Sequence, residues 1–458
     1  MKTLVIIGAG FSGAVTAAQF MRHSTPDVRV VLINRSGTMA RGLAYGTNSS
    51  LHLLNVPAGN MSAYVEEQDH FLRFCQALDP TYTASSFVPR KLYGDYLALI
   101  LDHAEKHSCA GVKLERVVSE VQRLRPVGMG AFVELVNGQH IKADQVVLAF
   151  GNFSPLDPPG FSTSISPGRY QSDPWAGGAT HSAEADSSIL LVGAGLTALD
   201  VSLGLLQQGH RGPIHMLSRR GLSPLPHRTQ RPAHEVPVGL VHTLMQATPT
   251  VREYMRLIRR EIGAAGPQGL DWRDLLAVLR SSTPALWMRL PNSERQRFLR
   301  HAQPYWDVHR HRVAPAAYRR FEEAVASGQI HSMAGRIQRV TPGTTGLTID
   351  IQLRREQRFE QINVAQVINC TGPNTNLRRV DDALITQMMA EGLLQLDPFG
   401  LGLSVDDQLA VKSANGETSS WLHYIGPMLK ADFWEATAVP ELRIHAQSLA
   451  SKLANLIR

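Results

Sequence analysis

The chain has 458 residues, 43% hydrophobic and 19% charged, and at roughly 150 residues per domain that length implies two or three domains with ample core. Its three cysteines, Cys75, Cys109 and Cys370, lie far apart and never form C-x-x-C, which excludes a disulfide framework, a four-thiolate metal site and a paired-cysteine redox centre. The balance of 46 Lys and Arg against 39 Asp and Glu gives +7 without a dense basic tract, so it points to phosphates held by particular arginines rather than to nucleic acid.

In chain order, Thr3 to Phe20 is free of charge, but its eighteen residues include three glycines and fall short of the ~20 that cross a bilayer. No comparable run follows, and the chain reads as a cytoplasmic protein without membrane spans. Within that stretch Lys2 to Ile7 predicts a strand, Gly8-Ala-Gly10-Phe-Ser-Gly13 a glycine turn, and Ala14 to Met21 a helix. In that context Gly8 makes the tight turn, Gly10 lets the backbone approach a pyrophosphate, and Gly13 lets helix and strand pack closely. The helix start then offers free N–H groups to the phosphates. The strand Val28 to Ile33 completes a βαβ unit. About 20 residues past the third glycine an acid is expected for the ribose hydroxyls. Asn34 stands there, followed by Arg35, so a hydrogen-bond acceptor remains without the charge.

Gln145 to Phe150 is an apolar strand closed by Gly151-Asn152, and Ser162–Glu184, rich in Ser, Pro and Gly, is the expected first connection. A second fingerprint follows. Ser188 to Val192 is a strand, Gly193-Ala-Gly195-Leu196-Thr197-Ala198 the turn, and Leu199 to Leu206 the helix. The next strand, Ile214 to Leu217, ends in Ser218-Arg219-Arg220-Gly221. Ser218 and Arg219 lie 20 and 21 residues past Ala198, where the ribose is read. A hydroxyl and arginines there welcome a 2′-phosphate, so this site favours NADPH over NADH. His227-Arg228 is expected to line the cofactor entrance.

From about Val238 to Ser327 the pattern turns helical and arginine-rich, with segments at Val251–Ile262, Trp272–Arg280, Ser293–Ala302 and Pro315–Ser327. The cluster Trp306, Asp307, His309, Arg310, His311 and Arg312 is the densest polar group. It reads either as a clamp for a carboxylate or phosphate of the substrate, through His309, Arg310 and Arg312, or as a capped helix end with solvated arginines. His309 and His311 are two apart and no acidic or thiol ligands cluster nearby, so no metal site is expected. Gly335–Leu353 reads as the start of the return to the first domain, and Gln366 to Cys370 as another strand closed by glycine, in Thr371-Gly372-Pro373. Cys370 reads as core rather than nucleophile.

Two fingerprints in one chain point to two nucleotides, by the usual pairing a flavin, FAD, in the first unit and a nicotinamide in the second. The fold class expected is therefore α/β: two Rossmann-like dinucleotide-binding domains, the FAD domain interrupted by the NADPH domain, with a helical insertion. The divisions are 1–180 and 335–458 for FAD and 181–334 for NADPH, the insertion covering about 238–327.

With these turns in place, the chain resembles the two-dinucleotide-binding-domain flavoproteins that include the flavin-containing and N-hydroxylating monooxygenases. More closely it resembles a bacterial group of FAD/NAD(P)-binding proteins. That resemblance spans nearly the whole chain and rests on Gly42-Leu-Ala-Tyr45-Gly, His52-Leu-Leu-Asn55-Val-Pro-Ala58, Phe87-Val-Pro-Arg90 with Tyr93-Gly94, Trp306 to Arg312, and Trp434-Glu435 leading to Ala438-Val-Pro440-Glu-Leu-Arg443. It implies that Gly8, Gly10, Ser12 and Gly13, with Phe11, hold the FAD pyrophosphate. Asn34 and Arg35 would lie at the FAD ribose and Gly151 nearby, while Gly426-Pro427 and the Trp434, Thr437 and Ala438 segment would return to the isoalloxazine ring. Gly193, Gly195, Leu196 and Thr197, with Ser218, Arg219 and Arg220, would hold NADPH. Asn55 matches an asparagine that lies beside the flavin in monooxygenase relatives and is the catalytic candidate.

The activity implied is an FAD- and NADPH-dependent monooxygenase that transfers oxygen, through a flavin hydroperoxide, to a nitrogen of a small amine or amino acid, with oxygen as co-substrate. Two alternatives stand beside it. One is an NADPH-dependent reductase that passes hydride through FAD to an acceptor other than oxygen; the other is a non-catalytic flavoprotein. The missing thiol pair excludes the disulfide-reductase branch.

Overall fold

The computed structural model describes residues 1–24, 26–47, 49–161, 168–176, 184–229, 239–354 and 358–457. Much of the expected connection Ser162–Glu184, and Val238 at the expected start of the helical insertion, lie outside the described residues. The chain forms two compact units. The first comprises Met1–Ser50, Val56–Phe153 and Thr375–Arg458, the second Leu51–Asn55 and Ser154–Asn374.

The first unit is built on a six-stranded sheet. Its order is Ala410–Lys412, Thr418–Tyr424, Gln145–Leu148, Lys2–Ile7, Val28–Asn34 and Lys113–Val118, parallel except at the first pair. Strands covered on both faces cannot alternate polar and apolar residues. Accordingly Leu4 to Ile7 and Val30 to Ile33 are continuous buried runs. Helix Phe11–His23 connects Lys2–Ile7 to Val28–Asn34, and the C-terminal helix Val439–Leu456 packs along it. Its buried alanines, Ala14, Ala17 and Ala18, are small enough for close approach on several sides. A separate antiparallel sheet, Val121–Val127, Gly130–Leu135 and His140–Ala143, completes the unit.

The second unit is built on a seven-stranded sheet. Its order is Phe359–Val364, Leu347–Leu353, Ile330–Pro342, Ile214–Ser218, Ile189–Val192, Gln366–Asn369 and Tyr170–Gln171. The last four and the start of Ile330–Pro342 are parallel; the rest is an antiparallel extension. The expected borders near 180 and 335 therefore shift to 153 and 374. Strand Tyr170–Gln171 pairs with Gln366–Asn369, which pairs in turn with Ile189–Val192, so both flanking segments are hydrogen-bonded into this sheet. Gly335–Leu353 is likewise not a return to the first unit. It is a β-hairpin, closed where the Gly343 N–H donates to the Gly346 carbonyl at 2.8 Å, and its apolar face packs on Phe161 and Tyr170.

The arginine-rich stretch is helical as its periodicity predicts. It contains Gly239–Gln246, Val251–Ala265, Trp272–Val278, Thr283–Arg289, Asn292–Arg297, Gln303–Arg310 and Pro315–Ala326. Two helix starts are set by side-chain oxygens that take up orphan N–H groups. Thr250 accepts from Glu253 N–H, and Asp271 with Asp274 forms a capping box. Among the described residues, no helix is long and apolar enough to cross a membrane.

Candidate functional site

In the first unit, at the C-terminal ends of four adjacent parallel strands, Ile33, Ile7, Leu148 and Tyr424 stand in one row. Strand Lys2–Ile7 lies between Val28–Asn34, to which helix Phe11–His23 leads, and Gln145–Leu148, which arrives much later in the chain. That divergence opens the crevice where open α/β sheets bind ligands. Gly8 to Gly13 turns there. The Gly8 N–H donates to the Ile33 carbonyl at 2.9 Å, and the Ala149 N–H to the Ile7 carbonyl at 2.7 Å.

Each glycine has a separate steric reason. Gly8 has φ +108°, and a Cβ on it would lie 2.5 Å from the Ala149 carbonyl oxygen. A Cβ on Gly13 would lie 1.8 Å from the Gly8 carbonyl oxygen, so no side chain fits. At Gly10 a Cβ would meet only the Cα of Gly42, at 3.5 Å. Gly10 thus has room in the protein itself, while Gly42, at the start of the short Gly42–Tyr45 helix, comes close beside it. The helix start at Gly10 has no side-chain cap and no acid in its first turn, which leaves its N–H groups and partial positive charge for a bound anion. These features fit a dinucleotide pyrophosphate.

Of the segments expected around this turn, Gly426-Pro427 stands next to Phe150, which follows Ala149. Gly426, φ +151°, would place a Cβ 3.1 Å from the Phe150 carbonyl oxygen. The buried Tyr424 hydroxyl donates to that carbonyl at 3.1 Å and accepts from Met428 N–H at 3.0 Å, so the Gly426-Pro427 turn is held beside Phe150-Gly151. Trp434 is buried, with the Lys430 ammonium 4.3 Å from its ring centre, whereas Thr437 is exposed and Ala438 is the uncapped N-terminus of helix Val439–Leu456. Asn34 commits its amide nitrogen to Ser36 Oγ at 3.0 Å and the Thr38 carbonyl at 2.8 Å. Only its Oδ1 is left to accept from a ribose hydroxyl. Arg35 makes long ion pairs of 3.9 and 3.8 Å with Glu120 and Asp382. Asn34→Asp keeps that acceptor but loses both donor bonds to the turn. FAD affinity is therefore expected to change less than tenfold, and flavin titration of the two forms checks it.

The second unit repeats the construction bond for bond. The Gly193 N–H donates to the Leu217 carbonyl at 2.7 Å, and the Cys370 N–H to the Val192 carbonyl at 2.8 Å. Gly193 has φ +119°, and its Cβ would lie 2.2 Å from the Cys370 carbonyl oxygen. Cys370 itself is buried, and burial raises its thiol far above the usual range, so its place in the structure is that of a core side chain whose backbone abuts the turn. Gly195 has open space where a Cβ would project, and helix Leu196–Gln207 again starts without a cap or an early acid. Thr197 stands in its first turn.

Beyond the next strand, Ser218 Oγ accepts from Gly221 N–H at 2.9 Å and keeps its own proton to donate. The exposed Arg219 side chain makes no hydrogen bond or ion pair among the described residues. Arg220 is turned the other way. It donates to the Arg300 carbonyl at 3.0 Å and lies 5.4 Å from the centre of the Tyr305 ring, tying the strand end to the helical region. Sequence spacing had grouped the two arginines; their side chains part.

Asn55 belongs to the second unit, and its carbonyl oxygen accepts from His227 Nε2 at 2.8 Å. Since a carbonyl only accepts, Nε2 carries the proton. Burial, followed by the charge of Arg312, lowers His227 to about 4, so the ring is neutral near pH 7. His227 is held by its own N–H, which donates to the Val313 carbonyl at 3.0 Å. The Asn55 side-chain amide has no hydrogen bond among the described residues. His227, expected at the cofactor entrance, is thus a support for the Asn55 backbone, a link between residues 172 positions apart that no local motif announces.

In the Trp306–Arg312 cluster, His309 is used structurally. Its Nδ1 donates to the Tyr305 carbonyl at 2.7 Å, and its ring meets Trp272 edge to face at 4.6 Å. Arg312 lies over the same indole, 5.9 Å from its centre. Among the described residues no group of three or more His, Cys, Asp or Glu side chains is arranged to hold a metal ion.

Residues 5–153 match the model of a family described as FAD-NAD(P)-binding. No curated protein matches the chain in sequence. Among solved structures, it is similar to L-lysine 6-monooxygenase from Pseudomonas syringae, with 15% identity and TM-score 0.64 over 100% of both chains. It is also similar to the ornithine N-hydroxylase of Kutzneria sp. 744, solved with reduced FAD, NADP+ and L-ornithine (12% identity, TM-score 0.62, 99% of this chain and 98% of that one). A more distant likeness is to thioredoxin reductase from Lactococcus lactis, with 10% identity and TM-score 0.54 over 100% of this chain and 99% of that one. At such identities the likeness is one of fold. Residues 5–153 thus match an FAD-NAD(P)-binding family, and the whole chain is similar in fold to the lysine 6-monooxygenase and the ornithine N-hydroxylase.

Proposed function

We propose that the protein is an FAD- and NADPH-dependent monooxygenase that places oxygen on a nitrogen of a small amine or amino acid. The observation that carries this reading is the duplicated dinucleotide turn in a chain with no thiol pair to take electrons onward. Cys75 and Cys370 are buried, with their thiols raised, to about 12 for Cys75, so neither is a reactive thiolate near neutral pH. The fold's likeness to lysine and ornithine hydroxylating enzymes supports the nitrogen target.

When bound, the two cofactors supply the hydride transfer and oxygen activation; the protein supplies binding, orientation and a dry pocket. The Gly8–Gly13 turn and the uncapped start of helix Phe11–His23 hold the FAD pyrophosphate, and Asn34 Oδ1 accepts from its ribose. The Gly193–Ala198 turn holds the NADPH pyrophosphate, with Ser218 and Arg219 on the 2′-phosphate. Asn55, fixed through its carbonyl by neutral His227, keeps a side-chain amide that is unengaged among the described residues and would donate to the nicotinamide or to the oxygen co-substrate.

The test is NADPH oxidation in air with candidate amines, reading hydroxylated product and hydrogen peroxide per NADPH. Product formation supports the proposal. NADPH consumption that needs an acceptor other than oxygen overturns it in favour of the reductase. In Asn55→Ala, flavin content and anaerobic reduction by NADPH are expected to persist. Losing one positioned donor costs about 10²–10³ in rate in comparable sites, so product per NADPH should fall at least about tenfold while peroxide rises. Unchanged coupling removes Asn55 from the mechanism.

A further inference from the structure

Within the second unit, two helices and one loop bring four arginines together. Arg228 follows His227 in the loop after Ile214–Ser218, and Arg273 lies in the first turn of helix Trp272–Val278. Arg310 ends helix Gln303–Arg310, and Arg312 lies two residues on, next to the bridge between Val313 and Pro226.

Two carboxylates, Asp274 and Asp271, answer the charge of Arg228 and Arg273, and both are already engaged. Asp274 receives Arg228 at 2.8 Å and also accepts from the Asp271 N–H at 2.8 Å. Asp271 receives Arg273 at 2.9 Å and Arg228 at 3.2 Å, and caps the helix through the Arg273 N–H at 2.7 Å. They neutralise Arg228 and Arg273 while starting the helix. Arg312 is within the field of both acids but makes an ion pair with neither among the described residues. Its Nε is buried without a hydrogen-bond partner among the described residues, and its one partner there is the face of Trp272, which Arg273 also covers at 4.4 Å. Burial, then the charges of Arg310 and Arg273, bring Arg312 down to about 10. It remains ionised at neutral pH, in surroundings that favour a negative partner.

The shape of the group selects the ligand. An indole face orients the plane of a guanidinium. The N–H groups at its edge then form a planar fork that matches the two oxygens of a carboxylate. The phosphate role is met elsewhere, by Ser218 and Arg219.

We propose that Arg312, set on Trp272 and beside Arg273, is the specificity-determining residue that binds the carboxylate of the substrate, making the substrate an amino acid or a similar carboxylate-bearing amine. This rests on the monooxygenase reading for the word substrate, but the carboxylate site itself does not.

The experiment uses the FAD-loaded protein without NADPH. Indole fluorescence is titrated with glutarate, with uncharged glutaramide and with inorganic phosphate, in wild type, Arg312→Gln, Arg312→Lys and Arg219→Ala. Expected is a saturable response to glutarate alone, weakened about ten- to a hundredfold by Arg312→Gln and only partly restored in Arg312→Lys, which has the charge without the fork. Arg219→Ala is expected to bind glutarate like wild type. Flavin content and melting temperature show that each variant is folded, and a misfolded Gln form leaves the Lys form and the glutaramide comparison to decide. No glutarate response in wild type, an equal response to phosphate, or no loss in Arg312→Gln overturns the site. Turnover separates the two readings. Glutarate binding that depends on Arg312, without any oxygenated product, sinks the monooxygenase and keeps the site; product formation indifferent to Arg312→Gln does the reverse.

Discussion

Gly10→Ala is expected to yield a folded protein that no longer retains FAD, whereas Gly13→Ala is expected not to fold its first unit. The two positions stand three residues apart in one turn, yet the obstacles differ. A methyl on Gly10 meets nothing of the protein nearer than 3.5 Å, an ordinary contact, but it enters the space a pyrophosphate needs to reach the N–H groups of helix Phe11–His23. A methyl on Gly13 would overlap the Gly8 carbonyl oxygen at 1.8 Å, and helix and strand must separate to admit it. Forcing volume into a packed interface costs about 1–3 kcal/mol and occasionally more. This interface joins the central strand to the helix against which Val439–Leu456 also packs, so the cost falls on the whole unit. Circular dichroism melting and flavin absorbance of the purified variants check both. A flavin-replete Gly10→Ala protein would remove the pyrophosphate from this turn.

Arg219→Ala and Arg220→Ala should likewise part company. Arg219 is exposed with an unengaged guanidinium, and Ser218 beside it keeps a proton to donate. A charge-assisted contact to a 2′-phosphate is worth roughly 1.5–3 kcal/mol, so Arg219→Ala should raise the KM for NADPH about ten- to a hundredfold and leave NADH nearly unchanged. Arg220 instead holds the Arg300 carbonyl and lies on Tyr305. Its removal should lower the melting temperature and affect both nucleotides alike. Steady-state kinetics with the two nucleotides, run beside melting curves, decide the matter. A selective loss of NADPH in Arg220→Ala, with Arg219→Ala silent, would exchange their roles.

Much about this protein was legible before folding because the information is local. A short apolar run, a glycine turn and an alanine-rich or leucine-rich helix must be contiguous to work, and both copies stand in the sequence as such: Lys2 to Met21 and Ser188 to Leu206. The same holds for the helical stretch after residue 238, whose periodicity needs no partner to be read.

What the tertiary structure decided is everything that depends on which distant backbone faces which. Gly8 and Gly193 are required because the Ala149 and Cys370 carbonyls lie over them, and strand pairing alone brings these residues, more than a hundred positions away, into place. The borders of the units moved for the same reason: hydrogen bonds of Tyr170–Gln171 and Gln366–Asn369 outweigh the composition of the segments around them. Side-chain direction was equally hidden. Neighbours in a loop point apart, so Arg219 stays exposed and unengaged among the described residues while Arg220 is tied to the Arg300 carbonyl. Arg312, one of several arginines in an arginine-rich stretch, is distinguished only by the two carboxylates that Arg228 and Arg273 have already taken.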